Sequence, residues 1–273
     1  MKQLRSRLWK TVKKAELARV AGIAFDIDDT LSTHGKLTET AFTALWALKK
    51  NGFVLVPITG RPAGWCDHIA RFWPVDAVIG ENGAFAFFMK EGRLRRIETP
   101  KDIETVTART RLTALRSEIE KRFPNVRFAS DQPYREYDLA IDYCEDVVRW
   151  PKKEVQALVE LCQSRGARAK VSSIHVNTWY GSFDKQKGFQ NWLDQGLPGV
   201  ETKKTKKLSK AANWIFIGDS PNDEPSFRYF TLSVAVANIK NFLSDLEAFP
   251  TFVTSKESGQ GFTEFASRLL RKS

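Results

Sequence analysis

The chain has 273 residues and a mass of 31.1 kDa, so one large or two modest domains are expected. With 42% apolar and 27% charged residues, 19 Phe and 8 Trp, the composition excludes a largely disordered chain. The net charge of +11 is the outlier, and two short segments hold nearly all of it. Residues 1–20 carry seven basic side chains against Glu16, and residues 201–210 carry five against Glu201.

Such a charge raises nucleic acid or an anionic surface as partner. Cys66, Cys144 and Cys162 have no CxxC spacing, which excludes a disulfide framework or a zinc site and fits a reducing cytoplasm. No apolar run reaches the ~18 residues of a membrane-spanning helix. The basic start lacks the apolar stretch of a secretory signal.

In chain order, Val20–Phe25 reads as a buried strand and Ala41–Leu48 as a helix, with Ala41, Phe42, Ala44, Leu45 and Leu48 on one face. Phe53–Ile58 is a second strand that ends at Thr59-Gly60-Arg61, with Pro62 in the first turn of the next helix. Ala77–Ile79 is a third strand, ending at Glu81-Asn82-Gly83. From Ala84 the rhythm changes to a hairpin (Phe85–Met89, Leu94–Ile97), then a long helix carrying Ile103, Val106, Leu112, Leu115 and Ile119. Strand-like Tyr137–Tyr143, helical Val155–Cys162 and strands near Arg168–Ser172 and Ile174–Tyr180 follow.

After Asp184 the α/β alternation returns: helix Gln186–Leu193, strand Trp214–Ile217, helix Glu224–Phe230, strand Leu232–Ala237, helix Ile239–Leu246, strand Thr251–Val253 and helix Phe262–Leu270. The pattern predicts an α/β core with a parallel sheet, split into residues 1–83 and 184–273, with residues 1–19 a basic extension. Residues 84–183 form an inserted α+β cap, and a site is expected in the cleft between the two.

The chemistry begins at Asp26-Ile27-Asp28-Asp29-Thr30, directly after the first apolar strand, where ligands bind in open parallel sheets. Crowded carboxylates repel unless a cation or protonation relieves them. One Asp-rich turn could be an ordinary loop. A second acidic loop, Gly218-Asp219-Ser220-Pro221-Asn222-Asp223, follows another apolar strand, and two such loops at strand ends suit Mg²⁺, a hard ion that takes oxygen ligands.

These residues resemble the haloacid dehalogenase superfamily of phosphohydrolases at four points. Asp26–Thr30 matches its DxDx(T/V) motif, Thr59 its second-strand Thr or Ser, a lysine opening the helix after the cap its third motif, and Gly218–Asp223 its GDxxND. The insert resembles a type IIB cap, as in sucrose-phosphate, mannosyl-phosphoglycerate and Cof-type phosphatases. The resemblance implies a Rossmann-like core and a Mg²⁺-dependent phosphatase acting on a small phosphorylated sugar or sugar acid. Asp26 is then the nucleophile, Asp28 the acid and base, and Asp26, Asp28 (through its carbonyl), Asp219, Asn222 and Asp223 the metal set. Thr59 and a lysine contact the phosphoryl group.

That lysine is Lys185 or Lys187. Counting from Lys185 places Gly188, Phe189 and Trp192 at the small and apolar positions of the helix, which favours Lys185. Asp29 stands where many relatives carry glycine. Substrate contacts are expected from Gly60, Arg61 and Asn82 of the core and Arg135 of the cap. Period-two alternation puts Ser173, His175, Asn177 and Trp179 on one polar face of a cap strand and Ile174 and Val176 on the other. Two alternatives stand beside this reading, a phosphomannomutase-like transfer and a non-catalytic basic binder. The basic segments are expected behind the catalytic loops, giving at most weak contact with an anionic surface and no specific nucleic-acid binding.

Overall fold

The computed structural model describes residues 6–99, 102–201 and 205–271. Among these, the strands are β1 (Arg7–Leu8), β2 (Gly22–Phe25), β3 (Val54–Pro57), β4 (Val78–Gly80), β5 (Phe85–Lys90), β6 (Arg93–Glu98), β7 (Arg127–Phe128), β8 (Asp138–Asp142), β9 (Arg168–Val171), β10 (His175–Trp179), β11 (Trp214–Gly218), β12 (Leu232–Ala235) and β13 (Phe252–Val253). The helices are α1 (Lys14–Leu17), α2 (Glu39–Lys50), α3 (Ala63–Phe72), α4 (Thr105–Arg122), α5 (Lys152–Ser164), α6 (Lys185–Asp194), α7 (Thr205–Leu208), α8 (Glu224–Tyr229) and α9 (Ser258–Leu270). No described helix is long and apolar enough to cross a membrane.

Six strands form the core sheet in the order β1-β13-β12-β11-β2-β3, every pair parallel. Strands covered on both faces read as continuous apolar runs because both sets of alternating side chains are buried. Ile23, Phe25, Leu55, Ile215, Ile217 and Phe252 pack beneath α2 and α9. Ala24, Val54, Val56, Trp214 and Phe216 pack on the other face with Phe189 and Trp192 of α6 and Phe227 of α8.

The inserted sheet has the antiparallel order β7-β8-β10-β9. Its apolar side, with Ile141 and Val176, is covered by Ala108, Leu112, Leu115 and Ile119 of α4 and Val155, Leu158 and Cys162 of α5. A parallel core carrying an inserted antiparallel cap is the architecture the sequence predicts.

Several details differ. The hairpin β5–β6 pairs with β4, and β4 joins the core sheet through a parallel bridge from Ile58 to Ile79, so the hairpin extends the core sheet and not the cap sheet. Val106 faces outward at 75% exposure, since Ala108 takes the buried position in that turn. Pro62 caps α3 one residue before its first turn. Residues Ala237–Asp245 are 3₁₀, not α-helical.

Part of the basic N-terminal segment is not behind the sheet. Arg7–Leu8 adds an edge strand beside Phe252–Val253, and Trp9 is buried with its indole N–H donating to the Phe265 carbonyl at 3.3 Å. Residues 13–21 then return to the amino end of β2, where Ala21 N–H bonds the Asn213 carbonyl beside the second basic segment. Lys2, Arg5, Lys203 and Lys204 lie outside the described residues.

Candidate active site

Two strand ends supply the acidic floor. Because β2 and β11 run in register, with Phe25 beside Ile217, Asp26 and Asp219 leave neighbouring strands at the same level. The Asp26 N–H donates to the Ile217 carbonyl at 2.9 Å. Asp223 returns over the strand end: its Oδ2 accepts from the N–H groups of Asp219 (2.9 Å) and Ser220 (3.3 Å). A Cβ on Gly218 would stand 2.4 Å from that oxygen, so glycine is required for the carboxylate to lie there. Carboxylate oxygens of Asp26, Asp219 and Asp223 thus fall within 4.8 Å of one another.

Lys185 is the cation among them. Its ammonium lies 2.8 Å from Asp26 and 2.7 Å from Asp223 and is 1% exposed. The α6 N-terminus reaches this point because Gly188 packs directly on Gly83. A Cβ on Gly188 would meet the Gly83 Cα at 2.5 Å, and Gly83 itself has φ +103. Lys187 instead points outward and donates to the Ser182 carbonyl at 2.7 Å.

One buried ammonium does not balance three carboxylates. Burial pushes the Asp26 carboxyl up to about 7 with Lys185 opposing, and burial with the Asp26 and Asp223 charges raises Asp219 well above the usual range. Asp219 is also held by Thr30 Oγ1 (3.2 Å) and by Asn238 Nδ2 (3.1 Å). A hard, oxygen-only donor set with excess negative charge fits a divalent cation. Asn222 stands beside it, its Oδ1 accepting from Ser220 Oγ at 2.8 Å.

Above this floor lies a narrow cleft between core and cap, with about 10 Å³ of free volume. Asp26, Asp28, Gly60, Arg61, Arg135, His175, Asn177 and Asn222 line it, together with Ser172 and Ile174. Thr59 is buried below, its Oγ1 accepting the Arg61 N–H at 3.0 Å.

The predicted cap contacts are mostly engaged with one another. Arg61 grips Asp28 through Nε (3.1 Å to each oxygen) and Nη2 (2.7 Å), and also reaches Asp131 (3.2 Å) and Glu145 (2.7 Å). Arg135, its side chain fully buried, holds Asp138 (3.0 Å), Asp131 (2.9 Å) and the Gly60 carbonyl (2.8 Å). Asn82 and Asn177 both donate to Asp138, at 3.3 and 3.0 Å. His175 Nε2 lies 2.8 Å from Glu145. Burial would raise the Glu145 carboxyl, but His175 and Arg61 outweigh it and hold it at about 2.

Two alternation-based expectations fail. Trp179 does not reach the cleft: it stacks on Phe183 and donates to that residue's carbonyl at 3.1 Å, in the apolar seam with Cys66 and Phe85. Ile174 does reach it, because the strand begins only at His175 and the preceding turn does not alternate.

Sequence reasoning missed Asp131, Asp138, Glu145, Asn238 and Glu81. The Glu81 carboxylate accepts from the N–H groups of Ala63 (3.1 Å), Glu136 (3.0 Å) and Tyr137 (2.6 Å), joining core to cap. In the sequence Glu81 stands out only as part of the Glu81-Asn82-Gly83 turn, and the structure holds Glu81 and Asn82 in the left-handed region (φ 42 and 54), a costly conformation for residues other than glycine.

Residues 23–103 match the model of the haloacid dehalogenase-like hydrolases. Phosphoglycolate phosphatase 1 of Saccharolobus solfataricus is 25% identical over 254 residues, covering 91% of this chain and 95% of that protein. Two solved structures share the fold. The C-terminal domain of C. albicans trehalose-6-phosphate phosphatase has a TM-score of 0.71 at 11% identity, covering 98% of this chain and 99% of that one. The sucrose-phosphatase of Synechocystis, in complex with sucrose and phosphate, has a TM-score of 0.61 at 13% identity, covering 91% and 97%.

Proposed function

We propose that the chain is a haloacid dehalogenase-like hydrolase and that its cleft hydrolyses the phosphomonoester of a small sugar or sugar acid with Mg²⁺ as cofactor. The observation that carries this reading is the convergence of Asp26, Asp219 and Asp223 within 4.8 Å around Lys185. Asp26, Asp219 and Asp223 would hold the ion, with the Asp28 carbonyl and Asn222 beside them. Bound there, Mg²⁺ supplies neutralising charge for the carboxylates and the phosphoryl oxygens.

Asp26 attacks phosphorus in line and the ester oxygen leaves, giving an aspartyl-phosphate. Asp28, at the cleft wall, gives the leaving alkoxide a proton and then takes one from the attacking water. Lys185 and Thr59 donate to the transferring phosphoryl group, where catalysis is mostly positioning and charge stabilisation. Lys185 also opposes the rise that burial gives the Asp26 carboxyl. His175 and Asn177 of the cap face the leaving group.

A panel of phosphate esters containing phosphoglycolate, hexose phosphates, disaccharide phosphates and nucleotides tests the reading. Phosphate release should require Mg²⁺ and vanish in EDTA, and a hexose phosphate isomer as product in place of free phosphate would mark a mutase. Full turnover by Asp26→Asn would falsify the assignment.

A further inference from the structure

Asp28 sits at the end of a chain of charges that begins in the cap. Arg61 is 5% exposed, and four of its five N–H donors are committed, two to Asp28 and one each to Asp131 and Glu145. Its guanidinium also lies over the Trp65 ring, 4.5 Å from the centroid. A planar fork with fixed donors transmits orientation in a way that a point charge does not. Two of its three carboxylate partners belong to the cap, and each is fixed there in turn, Asp131 by Arg135 at 2.9 Å and Glu145 by His175 at 2.8 Å.

We propose that Arg61 is a positioning residue through which cap closure sets the carboxylate of Asp28 for proton transfer. With the cap in place, Asp131 and Glu145 fix the plane of the guanidinium, and the guanidinium fixes Asp28. With the cap withdrawn, two of the three anchors leave and the fork is free to turn. Closure and assembly of the proton-transfer group are then one event, so a substrate that does not draw the cap down meets a misaligned Asp28. The proposal rests on the acid and base role given to Asp28 above.

Leaving-group dependence tests it. p-Nitrophenyl phosphate expels an oxygen that needs little protonation, whereas an alkyl ester needs the full help of Asp28. The double variant Asp131→Asn, Glu145→Gln is close to isosteric and touches no reacting atom. It should lower kcat for the best alkyl ester of the panel by about 10- to 100-fold and leave p-nitrophenyl phosphate within about two-fold. In Arg61→Ala, added guanidinium chloride at millimolar concentration should restore alkyl-ester turnover selectively. Equal loss on both esters, or no loss on either, overturns the proposal. Asp28→Asn is run beside them: if it also fails to discriminate, the acid and base role of Asp28 falls, and if it alone discriminates, only the link through Arg61 falls.

Discussion

Two buried clusters of charge line the same cleft and are built differently. On the floor, where Asp26, Asp219 and Asp223 converge, Lys185 pairs with Asp26 and Asp223 but not with Asp219, so one buried carboxylate is left without a salt bridge. On the cap side, Arg61 and Arg135 are interleaved with Asp28, Asp131, Asp138 and Glu145 at 2.7 to 3.2 Å, so each guanidinium has its carboxylates. Burying unbalanced like charge is costly and persists where a ligand of opposite charge repays it. On the cap side four carboxylates share two guanidiniums, but each of the four touches at least one, and such paired contacts hold two surfaces together. The difference separates a place where chemistry is done from a joint that positions it.

Removing a floor carboxylate should remove activity with little effect on folding, since the carboxylates repel one another. The largest effect is expected from Asp26→Asn, which removes the nucleophile: turnover should fall about 10³-fold or more. Lys185→Met should cost about 10²- to 10³-fold in kcat through lost stabilisation of phosphoryl charge, while Lys187→Met, on the outer side of α6, should leave kcat unchanged. Steady-state phosphate release measures all three, and an equal loss from both lysines would erase the distinction drawn between them.

Breaking the seam at Arg135 should cost stability. Arg135→Met leaves Asp131 and Asp138 buried without their cation, and loss of one partner of a buried pair costs about 3–5 kcal/mol. Urea unfolding should show that loss as a lower midpoint, and a midpoint shared with wild type would show the seam to be dispensable. Cation binding sharpens the contrast from the other side. Mg²⁺ at a hundredfold excess over Kd should stabilise the wild type by about 2.7 kcal/mol, seen as a rise in Tm. Asp219→Asn should abolish that rise, whereas Arg135→Met should keep it.

The two clusters also differ in how they can be read from the chain. The floor was legible because each acidic residue follows an apolar strand within a few positions, and the parallel sheet brings those strand ends together. Lys185 was legible through Gly188, whose lack of a side chain permits contact with Gly83. The seam was not. Arg61 meets Asp131 and Glu145 across 70 and 84 residues, from turns with no periodic signature, and nothing local marks those acids as partners.

Alternation along β10 identified His175 and Asn177, yet it also carried Trp179 to the cleft, because a period-two rule fixes which face a side chain takes and not how far that face extends. The two-residue strand Arg7–Leu8 lies among charges without an apolar run, and only its place beside Phe252–Val253 makes it a strand.

Glu145 supplies the smallest and most specific break in the comparison, because it is the seam's least buried acid, with its side chain 22% exposed. His175 and Arg61 hold its carboxyl at about 2 against an ordinary 4.5. A group depressed on folding adds stability that is complete above its unfolded pKa and disappears as pH falls through the folded one, so this contribution is full above about pH 4.5 and lost by about pH 2. Solvent screening at a partly exposed site reduces it to about 1–2 kcal/mol. Glu145→Gln should therefore be less stable than wild type by that amount at pH 6, and the two stability curves should converge as pH falls from 4.5 to 2. Chemical denaturation across that range measures the convergence. Parallel curves would mean that Glu145 holds Arg61 through geometry alone, and the seam would then owe nothing at that position to its charge.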